Sequence, residues 1–327
     1  MPKLAMLSHI PFYQGLGKQG DGRKAMRAFV TAASSPYTFS FLPAPADLQP
    51  YVNALYVFGT GRERLEECLP AYSAQLAIWV SGKAELDLPN PAIGEIGDIY
   101  FLAPQMKATP FVAHGPVHGL GVSLTAQGWA ALAGRPVDEC HSRQLAPDAC
   151  LPEEMARRLD QLLALRREGQ ITDSALAEGL AEAVRAGISP LSERHAALLR
   201  TTFEWLGESW SPRVEDLYAR LPFSQRQAQR LIVRFFGQPP ATLMRRYRAI
   251  RAATFLSMPQ VPSFILEQIR DAYYDQAHFI RDIREFTGRT PSRLGPDEDT
   301  VVKDMLSPAG HGLVDPFAAT ENEQIYE

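Results

Sequence analysis

Two stretches of this 327-residue chain set arginine and amide side chains on one helical face, a pairing of types that reads hydrogen-bond patterns rather than breaks bonds. In residues 213–237, RVEDLYARLPFSQRQAQRLIVRFFG, the apolar side chains Ala228, Leu231, Ile232 and Phe235 recur at i, i+3, i+4 and i+7, which is one face of a helix. Gln225, Arg226, Gln229 and Arg230 fall on the opposite face. A guanidinium can pair with guanine O6 and N7, and a Gln amide with adenine N6 and N7, so these types suit base edges in a major groove. About fifty residues on, YYDQAHFIRDIREFTGRTP repeats the arrangement, with Phe279, Ile283 and Phe286 inward and Gln276, Ala277, Ile280, Arg281 and Arg284 outward. Taken singly, either face also fits a merely solvated helix surface. Ile280 fits a thymine-methyl contact and a stray exposed apolar residue equally well.

Bond-breaking chemistry finds no comparable set. His114 and His118 flank a Gly-Pro pair, with no Glu placed to complete a metal site. Cys68, Cys140 and Cys150 are few, odd in number and without CxxC spacing, which argues against a disulfide framework and a zinc site. Cys140-His141 has no third partner, and His278 suits a turn-supporting role better than catalysis. Gly15, Gly17 and Gly20 satisfy G-x-G-x-x-G literally, but lack the preceding strand and βαβ unit of a dinucleotide site. There is no nucleophile elbow or P-loop. The expectation is a protein that is not an enzyme, with no catalytic residue, metal ligand or cofactor.

Charge is divided unevenly. The whole chain carries −4. Residues 190–294 hold sixteen Arg, no Lys and ten Asp or Glu, a balance of +6. The last 33 residues hold one Lys and eight acids, a balance of −7, and residues 1–189 supply −3. Basic charge concentrated in one segment is the electrostatic footprint expected for a polyanion partner.

These side chains need a frame. Leu221-Pro222-Phe223 interrupts a short amphipathic helix bearing Val214, Leu217 and Tyr218, because Pro cannot donate to the helix ladder. Ser224 and Asp275 are good N-caps for the two arginine-bearing helices. Gly237 with Pro239, and Gly288 with Pro291, stop them. Between them Pro240 opens a helix to about Met258, roughly 28 Å long at 1.5 Å per residue. Such a rod can hold two reading helices about one DNA turn, roughly 34 Å, apart. Upstream, residues 37–42, 51–58, 75–80, 98–102 and 117–124 read as short strands, rich in branched and aromatic residues and divided by turn clusters. Residues 126–133 read as a short helix. From Glu153, Met155, Leu159, Leu162 and Leu163, then Leu176, Leu180 and Ala183, take helical spacing; that stripe fits core packing or a dimer seam.

The fold class expected is α+β. An N-terminal antiparallel β barrel or sandwich with flanking helices occupies 1–150, and a helical linker 151–190. An all-α domain with two helix-turn-helix units fills 191–294, and a flexible acidic tail 295–327. No run of 18 apolar residues and no signal peptide is visible, so a cytoplasmic protein without membrane contact is expected.

Ser224, Arg226 and Arg230 followed by Gly237 meet the pattern S-x-R-x-x-x-R with Gly thirteen residues after the Ser, and Pro240, Arg248 and Ala252 follow. In the second unit Tyr274, Asp275, Gln276, His278, Phe279, Arg281, Gly288, Thr290 and Pro291 complete a signature. Over about 100 residues this resembles the DNA-binding region of AraC-type transcription regulators. The resemblance implies that the two recognition helices enter successive major grooves on one face of DNA. It makes Arg226, Gln229 and Arg230, and then Gln276, Ala277 and Arg281, the base-facing candidates. Gln225, at the start of its helix, is assigned to phosphate or base; Arg234, Arg284 and Arg289 are assigned to phosphate. Residues 98–103, 117–124 and 128–136 resemble the cupin-like sensor domains found ahead of such regions, which implies ligand sensing or dimerisation. The partners implied are double-stranded promoter DNA, a small-molecule effector, RNA polymerase and a second copy of the chain.

The chain departs from the family at Tyr218, where a small Ala is usual, at Ala272, where the turn Gly is usual, and at Ile232 and Ile283, where an aromatic is common. Glu267, Gln268, Arg270 and Asp271 make the first helix of the second unit polar, which predicts looser packing or a changed docking angle there. The alternative left open is a cupin-like enzyme or ligand-binding protein with a helical targeting module.

Overall fold

Strand β6 (Thr109–Leu124) organises the N-terminal half of the computed structural model, which describes residues 35–306 except 72, 296, 297 and 299. Its sequence alternates with the period of a strand. Leu120, Val122 and Leu124 enter one core, while Gly119, Gly121 and Ser123 face the rings on the other side. β1 (Thr38–Pro43), β2 (Val52–Thr60), β4 (Gln75–Leu86), β5 (Ile99–Leu102) and β7 (Gln144–Leu145) complete an antiparallel sheet in the order β1-β2-β6-β4-β5-β7. β3 (Arg64–Leu69) pairs with the first half of β6.

Two of the expected strands run further than the sequence suggests. The Gly115-Pro116 pair, which reads as a turn, is crossed by β6 where its partner changes: residues 117–124 pair with β2 and 109–114 with β3. A Pro is tolerated there because no continuous ladder needs its missing N–H. Opposite it, β4 shifts register on both sides of Ser81, and Gly82 takes φ +68°. A Cβ on Gly82 would come within 2.8 Å of the Pro116 carbonyl oxygen. Irregularities of this kind bend long strands and curl the sheet around an aromatic interior of Phe39, Phe58 and Phe111.

The outer face of the sheet, with Leu76, Ile78, Leu120 and Val122, lies under α1 (Ala126–Leu132), α3 (Glu153–Arg167) and α4 (Asp173–Gly187), which contribute Trp129, Leu159, Leu163, Leu176 and Leu180. A short α2 (Val137–Cys140) lies between them in sequence. The Leu stripe of α3 and α4 is therefore buried inside the chain. Among the described residues the exposed large hydrophobics are Phe264 and Tyr274.

The C-terminal half is helical: α5 (Glu193–Glu208), α6 (Val214–Arg220), α7 (Gln225–Phe236), α8 (Pro240–Leu256), α9 (Ser263–Ala272) and α10 (Gln276–Thr287). The fold is α+β, as the sequence implies. One core gathers Trp205, Leu217, Ile232 and Phe236 around the first helix-turn-helix. A second gathers Phe255, Ile265, Ile269, Phe279, Ile283 and Phe286 around the second. The 17-residue α8 serves both, giving Leu243 to the first and Ala249, Ala252 and Ala253 to the second.

Residues 301–306 correct the expectation of an acidic tail. They form helix α11 (Val301–Met305) and its cap, with Val301, Val302, Met305 and Leu306 all 4% exposed or less. Burying these apolar side chains, set in pairs four apart, outweighs the pull of Asp304 and the neighbouring acids towards solvent. Residues 307–327, and the Gly15-to-Gly20 motif, lie outside the described residues.

Gly128 fixes how α1 sits, because a Cβ there would overlap the Tyr51 carbonyl. Gly128→Ala should lower the unfolding free energy by about 1–3 kcal/mol, read as an earlier midpoint in chemical denaturation. An unchanged midpoint would mean that α1 is not seated on Tyr51.

Candidate nucleic-acid interface

Both arginine-bearing helices start and stop as their sequences dictate. Ser224 and Gln227 form a reciprocal capping box on α7, and the Asp275 carboxylate accepts from the His278 backbone N–H at 2.7 Å on α10. Each helix ends on a left-handed glycine, Gly237 at φ +75° and Gly288 at φ +74°, a conformation with little steric cost for Gly alone. Ala228, Ile232, Phe235, Phe279, Ile283 and Phe286 are buried.

On the outer faces Arg226, Arg230, Arg234, Arg281 and Arg284 are exposed, and none forms an ion pair or side-chain hydrogen bond with a described residue. Gln225, Gln229 and Ala277 are exposed too, and Gln276 is half-buried. Arg289 is the exception among the expected residues. Its guanidinium pairs at 2.7 Å with Glu67, whose side chain is 8% exposed. The assignment of Arg289 to phosphate is corrected accordingly, since β3 brings a buried carboxylate that the local sequence around Arg289 does not contain.

The second unit is anchored from behind by Asp282, which the sequence reading passes over. Its fully buried carboxylate takes Arg245 at 2.8 Å, Arg248 at 3.5 Å and His278 at 3.2 Å. An acid three residues after Phe279, on the apolar side of QAHFIRDIREFT, is the signal that could have found it. The polar α9 is held as well: Ile265 and Ile269 are buried, Trp210 donates its indole N–H to Gln268 at 2.9 Å, and Arg248 donates to the Ala272 carbonyl at 3.0 Å. The looser packing expected there is not seen.

The far ends of both helices meet the β domain. The carbonyls of Glu285 and Phe286 accept backbone N–H groups of Ala108 and Ala71 at 3.0 and 2.6 Å. The Phe236 carbonyl accepts from Arg246, which also donates to the Gln105 carbonyl at 3.3 Å. Lys107 and Arg245 both hold the Glu285 carboxylate. Burial alone would raise that carboxyl, but the bonds from Lys107 and Arg245 and their charges hold it below its ordinary value of 4.5. The stability it contributes is present above that ordinary value and is lost as pH falls through the lower folded one.

The β domain encloses a pocket on its concave face, walled by Phe39, Phe58, Trp79, Tyr100 and Phe111, with Val301 and Met305 of α11. Glycines make the room: a Cβ at Gly119 would lie 2.6 Å from the Trp79 ring, and one at Gly121 would strike the Tyr56 hydroxyl. Tyr56 donates to Gln75 at 2.8 Å and Trp79 to Tyr100 at 3.1 Å. Burial pushes both phenols upward, so they stay neutral. The alternation Gly119-x-Gly121-x-Ser123, which the sequence reading passes over, is the signal that could have found this surface.

Among the described residues no three His, Cys, Asp or Glu side chains gather to hold a metal, and no helix is long and apolar enough to cross a membrane. Burial pushes the Cys68, Cys140 and Cys150 thiols up to about 11, 12 and 11, which keeps them protonated near neutral pH.

No family model matches the chain, and no curated protein does. Among solved structures it is similar to apo ToxT from Vibrio cholerae, with 8% identity over 73% of this chain and 95% of that one and a TM-score of 0.43. ToxT bound to (E)-4-(8-methylnaphthalen-1-yl)but-3-enoic acid gives 10%, 71%, 97% and 0.39. The AraC-like transcriptional activator CuxR gives 13%, 67%, 81% and 0.30.

Removing Asp282 leaves Arg248, almost fully buried, without its counter-charge. Asp282→Ala should cost about 3 kcal/mol of stability in chemical denaturation. A loss under about 0.5 kcal/mol, the range of ordinary surface substitutions, would show that the clamp does not hold α10.

Proposed function

We propose that the chain is a sequence-specific DNA-binding transcription regulator of the AraC type, responsive to a small molecule through its N-terminal β domain. One observation carries this reading: five exposed guanidiniums, without ion-pair partners among the described residues, stand on two capped helices of a segment with a balance of +6. Elsewhere in that segment Arg220, Arg245 and Arg248 are paired with carboxylates. Guanidiniums left open on a reading face suit phosphate and guanine. The motif resemblance over the same residues supports the assignment.

In this reading α7 offers Arg226, Gln229 and Arg230 to one major groove, and α10 offers Gln276, Ala277 and Arg281 to the next. Gln225 meets phosphate or base at the start of α7, and Arg234 and Arg284 meet phosphate. Phosphate contacts supply affinity and base contacts supply preference. Residues 1–150 sense, 151–190 link and 191–294 bind. Such a regulator works in the cytoplasm on promoter DNA, with RNA polymerase and a second copy of the chain as protein partners, and is not an enzyme.

Selection of bound sites from random DNA should return two half-sites about one helical turn apart. On the selected site Arg230→Ala should cost about 1–3 kcal/mol and relax the preference at one position. Equal loss on selected and random DNA would count against base reading. Arg284→Ala should instead lower the salt slope of binding by about one; an unchanged slope would reject its phosphate role.

A further inference from the structure

Helix α11 is five residues long and has a face in each of two cores. Val301 and Met305 pack with Phe39, Phe58 and Phe111 inside the β domain. Val302 and Leu306 pack with Ile265, Phe286 and Leu294 in the second helix-turn-helix. Residues four apart share one side of a helix, and neighbours point about 100° away. Withdrawing one pair therefore moves the other. Only seven positions separate Leu294, in the core of the second unit, from Val301 in the pocket.

The pocket is a cavity already filled by its own chain. Its walls enclose about 660 Å³ counted out to the mouth, but the internal void is only about 60 Å³. A small-molecule site typically needs about 300–1,000 Å³. Something must leave before a ligand fits. The rings on β1, β2, β4, β5 and β6 belong to paired strands. Val301 and Met305 come from a single helical turn, steadied by the Tyr37 hydroxyl donating to Asp304 at 2.9 Å. That turn is the wall most easily moved.

We propose that the pocket takes an uncharged, largely apolar molecule in the place of Val301 and Met305, and that its binding draws Val302 and Leu306 out of the second DNA-reading unit. The inference rests on the sensing half of the function proposed above. No lining residue among those described carries a charge, so a carboxylate or ammonium on the ligand would be buried without a partner, which is strongly unfavourable. Ser123 is engaged by Asn53 and Ser73 and the Gln75 oxygen by Tyr56, which leaves the Gln75 amide N–H to meet one polar atom. Because both faces belong to one helix, ligand and DNA oppose each other, each weakening the other by the same factor.

The test titrates the full chain, without DNA, with the neutral dye N-phenyl-1-naphthylamine and with its anionic relative 1-anilinonaphthalene-8-sulfonate. The neutral dye should bind saturably at one per chain, about tenfold or more tighter than the anion. Met305→Ala should tighten neutral-dye binding about tenfold, and Tyr37→Phe, which loses the hydroxyl holding Asp304, about threefold. In the unaltered protein the dye should speed amide exchange at residues 300–306 and in α10. No saturable binding by the unaltered chain and both variants would overturn the site. Equal affinity for both dyes would overturn the ligand class. Slower exchange at 300–306 would show that α11 stays as a lid, and would overturn the displacement. None of these measurements involves DNA, so their failure and a failed site selection are distinguishable.

Discussion

An α-helix leaves its last carbonyls without partners; α10 gives two of its own directly to the β domain, and α7 gives one to Arg246 of α8, whose guanidinium also reaches the β domain at Gln105. Ala71 and Ala108 supply backbone N–H groups to α10, and the Arg246 guanidinium supplies one to α7. A buried carbonyl left unsatisfied costs about 1–3 kcal/mol, so these bonds fix where the two domains meet. The left-handed Gly237 and Gly288 permit the approach, with Met106, Val137 and Cys68 lying where a side chain would otherwise project. The helices are thus tied down at one end and along one face, while the arginine-bearing faces stay open to solvent.

Arg246 shows how demanding that junction is. It is 6% exposed, and burial pulls its pKa down. Its hydrogen bonds go to the Gln105 and Phe236 carbonyls, with Met106 sulfur 3.1 Å away. The partial negative charge at the end of α7 suits a cation. These acceptors come from both domains, so the guanidinium is satisfied only while the domains stay together. Asp282 plays the complementary part inside the helical domain, where α8 and α10 share one buried carboxylate.

What could be read from the sequence was what depends on near neighbours. The caps at Ser224 and Asp275, the stops at Gly237 and Gly288, and the apolar faces of α7 and α10 are set within a dozen residues, and the structure has them. What depends on distant partners was not legible. β3 reads as RLEECL, too charged for a strand until β6 pairs with it. Arg289 looks free until β3 brings Glu67 alongside. α11 looks like part of an acidic tail because VVKDML is short, and its burial depends on two cores that only the folded chain creates. The Gly-Pro pair in β6 hid the length of the central strand, since a bend and a turn share the same residues.

The interior of the β domain owes its shape to side chains that are missing. At Gly119 and Gly121 the Trp79 and Tyr56 rings lie where a methyl group would stand, while Leu120 and Val122, on the other side of the same strand, belong to the core beneath the helices. Inner contour and outer foundation are thus written on alternate letters of one strand. A single change in the inner letters reshapes the chamber by shifting a ring and leaves the outer ones as they were. Such a scaffold can change the shape of its chamber in small steps, with the half that carries the arginines left unaltered.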